Sequence, residues 1–184
     1  SSGAVAIGST HLKKKRSQMN LNEMQAAAAM GQAQLVMEWQ DSFKSSGINT
    51  AQILLTRSDT ENKKRFLNSK DTLLTLIKYN VIPIINENDT VATEELKYGD
   101  NDRLAARVAQ MTSADLLILL SDVDGMYTSN PKTDQKAKHI SVIENLNEKI
   151  FSMADTADSN YGSGGMITKL RAAKIATSAG CATI

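Results

Sequence analysis

The chain alternates between segments of helical spacing and short continuous apolar runs. Residues 20 to 46 are rich in Ala, Met, Gln, Leu and Glu, which favour helix, and Gly47 stands where a helix commonly closes. Thr50-Ala-Gln-Ile-Leu-Leu-Thr56 is short and apolar and predicts a strand. A charged helix is expected from Asp59 to Asn80, with Phe66, Leu67, Leu73, Leu74 and Ile77 at near-helical spacing. Val81-Ile-Pro-Ile-Ile85 reads as a buried strand, in which Pro83 asks for an early or poorly hydrogen-bonded position. Arg103 to Met111 predicts a further helix, with Asp100 or Asn101 as its cap. Asp115-Leu-Leu-Ile-Leu-Leu120 is the clearest strand of all, continuous, apolar and bounded by polar residues. Residues 129 to 160 have weak periodicity and many charges, and read as a surface excursion or lid with a short helix near 145 to 153.

Strands that alternate with helices in this way predict an α/β fold. The expected architecture is an open, mostly parallel sheet sandwiched by helices (αβα), formed by residues 1–184 as one domain. In such sheets ligands collect at the carboxyl ends of the strands. Several polar clusters of this chain fall in those places.

Composition narrows the classes. With 184 residues, 41% of them apolar and 22% charged, the chain can build a real core and is not expected to be disordered. A net charge of +1 argues against a nucleic-acid-dominated surface. The single cysteine, Cys181, excludes an internal disulfide framework and a Cys-rich zinc site, and reads as buried and inert. His11 and His139 have no second His or Cys at metal-ligand spacing, so no metal site is expected from the protein's own side chains. Lys13-Lys14-Lys15-Arg16 reads as a solvated loop, and the eight Met residues and Trp39 as core or helix-interface positions. No apolar stretch approaches the ~20 residues a membrane helix needs, and no signal peptide is visible, so the cytoplasm is the expected location. The opening on Ser1-Ser2-Gly3 without Met, and the close on the strand-like Cys181-Ala-Thr-Ile184, read as a piece of a longer protein.

Five clusters carry candidate chemistry. Ser1-Ser2-Gly3-Ala4-Val5-Ala6-Ile7-Gly8 has small residues that would let backbone N–H groups approach a ligand, although a tight turn entering a helix is the plainer reading. Asn86-Glu87-Asn88-Asp89 directly follows the Val81–Ile85 strand, at its ligand-binding end or at an ordinary exit into a loop. Gly99-Asp100-Asn101-Asp102 leads into the Arg103–Met111 helix with more carboxylates and amides than a cap requires. Ser121-Asp122-Val123-Asp124-Gly125 ends the Asp115–Leu120 run. It fails as an EF-hand loop and resembles the Asp-x-Asp motif of haloacid-dehalogenase-like phosphatases. Met126 stands where that motif carries Thr, however, and a nucleotide-contact loop is the other reading. Gly162-Ser163-Gly164-Gly165-Met166-Ile167-Thr168-Lys169 is a glycine run feeding a helix that Gly180 closes. Its free N–H groups and Lys169 favour an anion there, and it lacks the spacing of a Walker A loop.

Taken in order, these clusters resemble the amino acid kinase family. The segments that carry the resemblance are SSGAVAIG (1–8), MGQAQL (30–35), LLTRSD (54–59), RFLNSKDTL (65–73), VIPIINENDTVAT (81–93), GDNDRLAA (99–106), LLILLSDVDGMYTSNP (116–131) and GSGGMITKLRAAKIA (162–176). They are most similar to the members that phosphorylate the side-chain carboxylate of L-glutamate, at the first step of proline biosynthesis. The resemblance implies ATP with Mg²⁺ as phosphoryl donor and L-glutamyl 5-phosphate as product. Other members phosphorylate acetylglutamate, aspartate, carbamate or UMP, and a phosphohydrolase built on Asp122-x-Asp124-Gly125 is the alternative outside the family. Ser2, Asp89 and Asn101 match positions that hold the amino acid. Ser121 and Asp122 match a nucleotide-contact pair, and Ser163, Gly164, Gly165, Met166, Ile167, Thr168 and Lys169 match the phosphate loop. Lys169 and Asp102 match the catalytic lysine and the aspartate that organises it. The resemblance further implies a homo-oligomer, possible feedback inhibition by proline, and a preceding strand bearing Lys-x-Gly-[Ser/Thr]. That strand and the last part of the sheet are not among these residues.

Overall fold

The computed structural model describes residues 1–92, 101–155 and 165–184. The chain divides into two compact units, Ser1–Asn101 and Asp102–Ile184. Each contains helices and one parallel strand pair, as the α/β reading expects, and the second adds an antiparallel pair. Among the described residues the strands form three two-stranded sheets rather than the one open sheet expected.

The first unit opens with helix α1 (Ala4–Leu12) and a short 3₁₀ turn (Arg16–Gln18), followed by the long helix α2 (Leu21–Lys44). Asn20 starts α2 with a capping box: its side chain accepts from the Glu23 amide, and the Glu23 carboxylate accepts from the Asn20 amide, each at 2.9 Å. Lys14 Nζ also reaches Glu23 at 2.7 Å; this ion pair, with the Asn20 amide, holds the Glu23 carboxyl below its usual range. α1 and α2 pack backbone against backbone. A Cβ on Gly8 would lie 1.8 Å from the Ala27 carbonyl oxygen, and one on Gly31 would lie 1.9 Å from that of Ala4. Gly8 therefore serves close helix packing rather than backbone approach to a ligand.

Strand β1 (Asn49–Leu55) follows, after Gly47 has taken the left-handed conformation expected of it, φ 67°. Two helices then stand where the sequence predicts one: α3 (Arg57–Glu61) and α4 (Lys63–Lys78). Asn62 separates them. It adopts an extended conformation and its side chain accepts from the Lys64 and Arg65 amides, so it begins a new helix instead of continuing the old one. Of the expected apolar stripe only Leu73 is fully buried, whereas Leu67, Leu74 and Ile77 remain exposed. Strand β2 (Val81–Glu87) pairs parallel with β1, from Asn49 opposite Val81 to Leu55 opposite Glu87. It runs two residues further than its apolar run, which takes Asn86 and Glu87 into the strand, where both are buried.

The second unit begins in the first turn of helix α5 (Asn101–Thr112). Its strands are β3 (Leu116–Leu117), β4 (Met126–Tyr127), β5 (His139–Ile140) and β6 (Ala182–Thr183), with helices α6 (Glu148–Asp155) and α7 (Met166–Ser178). β3 pairs parallel with β6 and β4 antiparallel with β5. The expected six-residue strand at 115–120 is regular over only two residues; Leu119 adds one bond to the Ile184 carbonyl at 2.7 Å. A continuous apolar run makes a full strand when both faces are covered, and here Leu116, Ile118 and Leu120 stand exposed. One core joins Ala106, Ala109, Leu117, Ala172, Ala176 and Cys181, which confirms the buried thiol. A second gathers Met126, Ala154 and Leu170. The methionines divide: Met19, Met111 and Met126 are buried, but Met30, Met37 and Trp39 are exposed along α2. The excursion at 129–160 contains the expected helix, shifted a few residues onward as α6. No helix of the described residues is long and apolar enough to cross a membrane.

Candidate active site

Each unit carries a polar constellation of its own. In the first unit it gathers at the carboxyl end of β2. The main-chain nitrogen and Oγ of Ser1 both contact the Ile85 carbonyl, at 2.6 and 2.9 Å. Ser2 is exposed beside Gly3, whose φ of 104° lets the chain turn directly into α1. Asn86 is 2% exposed and links two elements: Nδ2 donates to Gln32 Oε1 on α2 at 2.8 Å, and Oδ1 accepts from Asn101 Nδ2 at 3.3 Å. Asp89 is half-buried in the turn that follows the strand. That turn is held by the Asn88 amide on the Leu55 carbonyl at 2.8 Å and by Gln25 Nε2 on the Ala92 carbonyl at 3.1 Å. The structure thus gathers Asn101 with Asn86 and brings the start of α1 to the same strand end. A site of this kind offers amides, hydroxyls and the carboxylates of Glu87 and Asp89, groups able to hold a small polar ligand.

Sequence reasoning missed Gln32. It lies within the quoted MGQAQL segment, but α2 also carries Gln25, Gln34 and Gln40. The remaining signal was its place directly after Gly31, which the α1 packing fixes at the helix interface.

In the second unit the constellation joins α5 to α7. Asp102, in the first turn of α5, receives Lys169 Nζ at 3.1 and 3.3 Å and the Thr168 hydroxyl at 2.8 Å. The side chains of Asp102 and Lys169 are each 18% exposed. A carboxylate so held accepts hydrogen bonds from both side chains and balances the lysine's charge. Lys169 has three N–H bonds, and its pairing with Asp102 leaves donors for an anion. Gly165 stands at the N-cap of α7; the Thr168 and Lys169 amides reach its carbonyl at 3.0 and 3.4 Å, and the Met166 and Ile167 amides precede the first helical bond. Met166 and Ile167 pack their side chains into the Met126 core, so only their backbone is available to a ligand. Such a helix start, with an adjacent ammonium, suits phosphate oxygens.

Ser121 and Asp122 are exposed in the loop after β3. Asp124 is exposed too and accepts from the Tyr127 hydroxyl at 3.1 Å, which raises the tyrosine's pKa. His139 meets the Tyr127 ring edge-on. These carboxylates lie open to water rather than in the enclosed setting an aspartyl nucleophile of a phosphohydrolase uses. Ser163 and Gly164, and with them Gly99 and Asp100, lie outside the described residues. Among the described residues no group of three His, Cys, Asp or Glu side chains converges as a metal site.

Comparison with known proteins gives this geometry a family. A glutamate 5-kinase of Caulobacter vibrioides is 53% identical over 186 aligned residues, which cover 100% of this chain and 49% of that protein. One of Allorhizobium ampelinum is 55% identical over 184 residues, covering 100% and 47%. One of Rhodopseudomonas palustris is 54% identical over 180 residues, covering 98% and 48%. The chain therefore spans about half the length of these curated relatives. The profile of the amino acid kinase family matches residues 2–184, so that both constellations, Ser1 apart, fall inside it and the chain belongs to the amino acid kinase family.

Proposed function

We propose that the protein containing this chain transfers the γ-phosphoryl group of ATP to the side-chain carboxylate of L-glutamate, giving L-glutamyl 5-phosphate. The reading is supported above all by the Asp102–Lys169–Thr168 cluster at the start of α7. The names of relatives at 53 to 55% identity point to the same acceptor.

The chemistry explains the residue types. A glutamate side chain has an unperturbed pKa of about 4.3, so the nucleophile is already ionised at neutral pH and needs no general base. The obstacle is bringing one anion onto another. Catalysis must come from positioning and from positive charge around the transferring group. Lys169 supplies that charge and Asp102 with Thr168 fixes its ammonium. The backbone of Gly165 to Lys169, continuing from Ser163 and Gly164, holds phosphate oxygens, and Ser121 with Asp122 contacts the nucleoside. In the first unit Asp89 pairs with the substrate ammonium, while Ser2 and Asn101 bind its oxygens. Mg²⁺ fits this donor set as an ion held chiefly by phosphate oxygens and water, where it would neutralise charge. A cytoplasmic location, a homo-oligomeric state and inhibition by proline belong to the same reading.

The test is a hydroxylamine trap. Full-length protein, ATP, Mg²⁺ and L-glutamate should yield glutamyl hydroxamate, and acetylglutamate, aspartate, carbamate and UMP, each followed by ADP release, should not serve as acceptors. ATP binding without any trapped acyl phosphate would refute the assignment. Phosphatase activity that survives Lys169→Ala but is lost with Asp122→Asn would favour the hydrolase instead.

A further inference from the structure

Helix α2 buries Ala27, Ala28, Gly31, Gln32 and Val36, and Gln32 is the one polar side chain in that set. It is only 8% exposed. An apolar residue would fill the same space without an amide to satisfy. Half of that amide is accounted for, because Oε1 accepts from Asn86 Nδ2 at 2.8 Å. The other half is not: Nε2 is buried with no partner among the described residues. A buried donor without an acceptor is costly, and its retention calls for a partner from outside the described residues, for which a bound ligand is a candidate.

The direction of the amide chain says what kind of partner. Asn101 Nδ2 donates to Asn86 Oδ1, and Asn86 Nδ2 donates to Gln32 Oε1. Acceptors are thus consumed along the chain and an N–H₂ group is left at its end, bonded to the same carbon as the oxygen that holds Asn86. We infer that Gln32 is a further substrate-binding residue, whose side-chain NH₂ donates to a carboxylate of the acceptor amino acid. This rests on the glutamate reading above and extends its acceptor site by one residue. The backbone contact at Gly31 adds the rigidity such a donor needs. With Gly31 pressed against Ala4 and Gly8 of α1, the next residue cannot shift without moving both helices.

The test compares Gln32→Glu and Gln32→Met in the full-length protein by the hydroxamate assay. Gln32→Glu keeps an oxygen for Asn86 but removes the donor and places a negative charge against the substrate. Gln32→Met removes both functions at similar volume. Both variants are expected to raise KM for glutamate roughly tenfold or more, with KM for ATP within about twofold and a smaller change in kcat. If Gln32→Glu keeps a wild-type KM for glutamate, the inference is overturned. Gln32 would then serve only to orient Asn86, or face the substrate with its carbonyl. Should either variant fail to fold, wild-type protein carrying ¹⁵N-glutamine decides: the Gln32 side-chain amide resonances are expected to move on adding glutamate, and unmoved resonances overturn the inference. A wild-type protein that forms no hydroxamate with glutamate sinks the underlying reading and this inference with it. Wild-type turnover with an unaffected Gln32→Glu overturns the inference alone.

Discussion

Gly8→Ala sets two effects of opposite sign against each other. Helix propensity alone favours alanine in a helix interior by about 1 kcal/mol. The packing of α1 on α2 opposes it. The added methyl would lie 1.8 Å from the Ala27 carbonyl oxygen, 2.5 Å from its carbon and 2.9 Å from the Ala27 Cα. All three are backbone atoms of a capped, continuous helix, so no rotamer change relieves the overlap. An ordinary contact is about 3.5 Å, so α1 would have to retreat by well over 1 Å. Overpacking of this kind costs about 1–3 kcal/mol, and a rigid obstacle puts it at the upper end. The expected net change is a loss of about 2 kcal/mol, read as a lower urea midpoint by circular dichroism on the full-length protein. Ala29→Gly, at an exposed α2 position, calibrates the propensity effect in the same helix pair. The retreat of α1 also draws Ser1 away from the Ile85 carbonyl and shifts Ser2 beside it, so KM for glutamate should rise while KM for ATP holds. A Gly8→Ala protein as stable as wild type, or more so, would refute the close-packing argument.

Other outcomes follow from the two constellations and from one capped helix. Lys169→Ala should lower kcat by about 10²-fold or more with a much smaller effect on KM; loss of substrate affinity alone would contradict its role on the transferring group. Asp89→Ala should chiefly raise KM for glutamate in steady-state assays, and an unchanged value would remove it from the acceptor site. Burial would raise the Asp59 carboxyl, but hydrogen bonds from Thr56 and the contact with Arg65 outweigh it and hold the pKa below the ordinary value. Its stabilising contribution is therefore complete above the ordinary carboxylate pKa and lost as pH falls through the lower folded-state value. Asp59→Asn should then flatten the decline of thermal stability below about pH 4, measured against wild type.

Much of the local structure is legible one residue at a time. A segment rich in Ala, Met, Gln, Leu and Glu, closed by Gly47, is enough to place α2, because propensity and capping act within a few residues; the Asn20/Glu23 box that starts it emerges from the structure. β1 and β2 follow from short apolar runs between polar ends. The same locality explains the errors. Asn62 looks like one more polar residue in a charged helix, and only its cap onto Lys64 and Arg65 shows that it starts a second one. The run 115–120 is apolar enough for a long strand, but its length depends on the strands and helices available to cover it. Met30, Met37 and Trp39 look like core by type and lie exposed by position.

For the candidate site, the sequence alone determined the chemical inventory and the family pattern: Asp102, Lys169, Asn101, Asp89 and the glycine run are recognisable by type and order. Tertiary structure decided which of them meet. Asp102 and Lys169 are 67 residues apart and join at 3.1 Å because α5 and α7 pack on a shared core of small side chains, Ala106 and Ala109 against Ala172 and Ala176. Gln32 is chosen among several glutamines of one helix only by the approach of Gly31 to α1 and by Asn86 arriving from a strand 54 residues later. Burial and long-range pairing depend on neighbours that the chain supplies from far away in sequence. For that reason they decide partners, while composition and spacing can only nominate them.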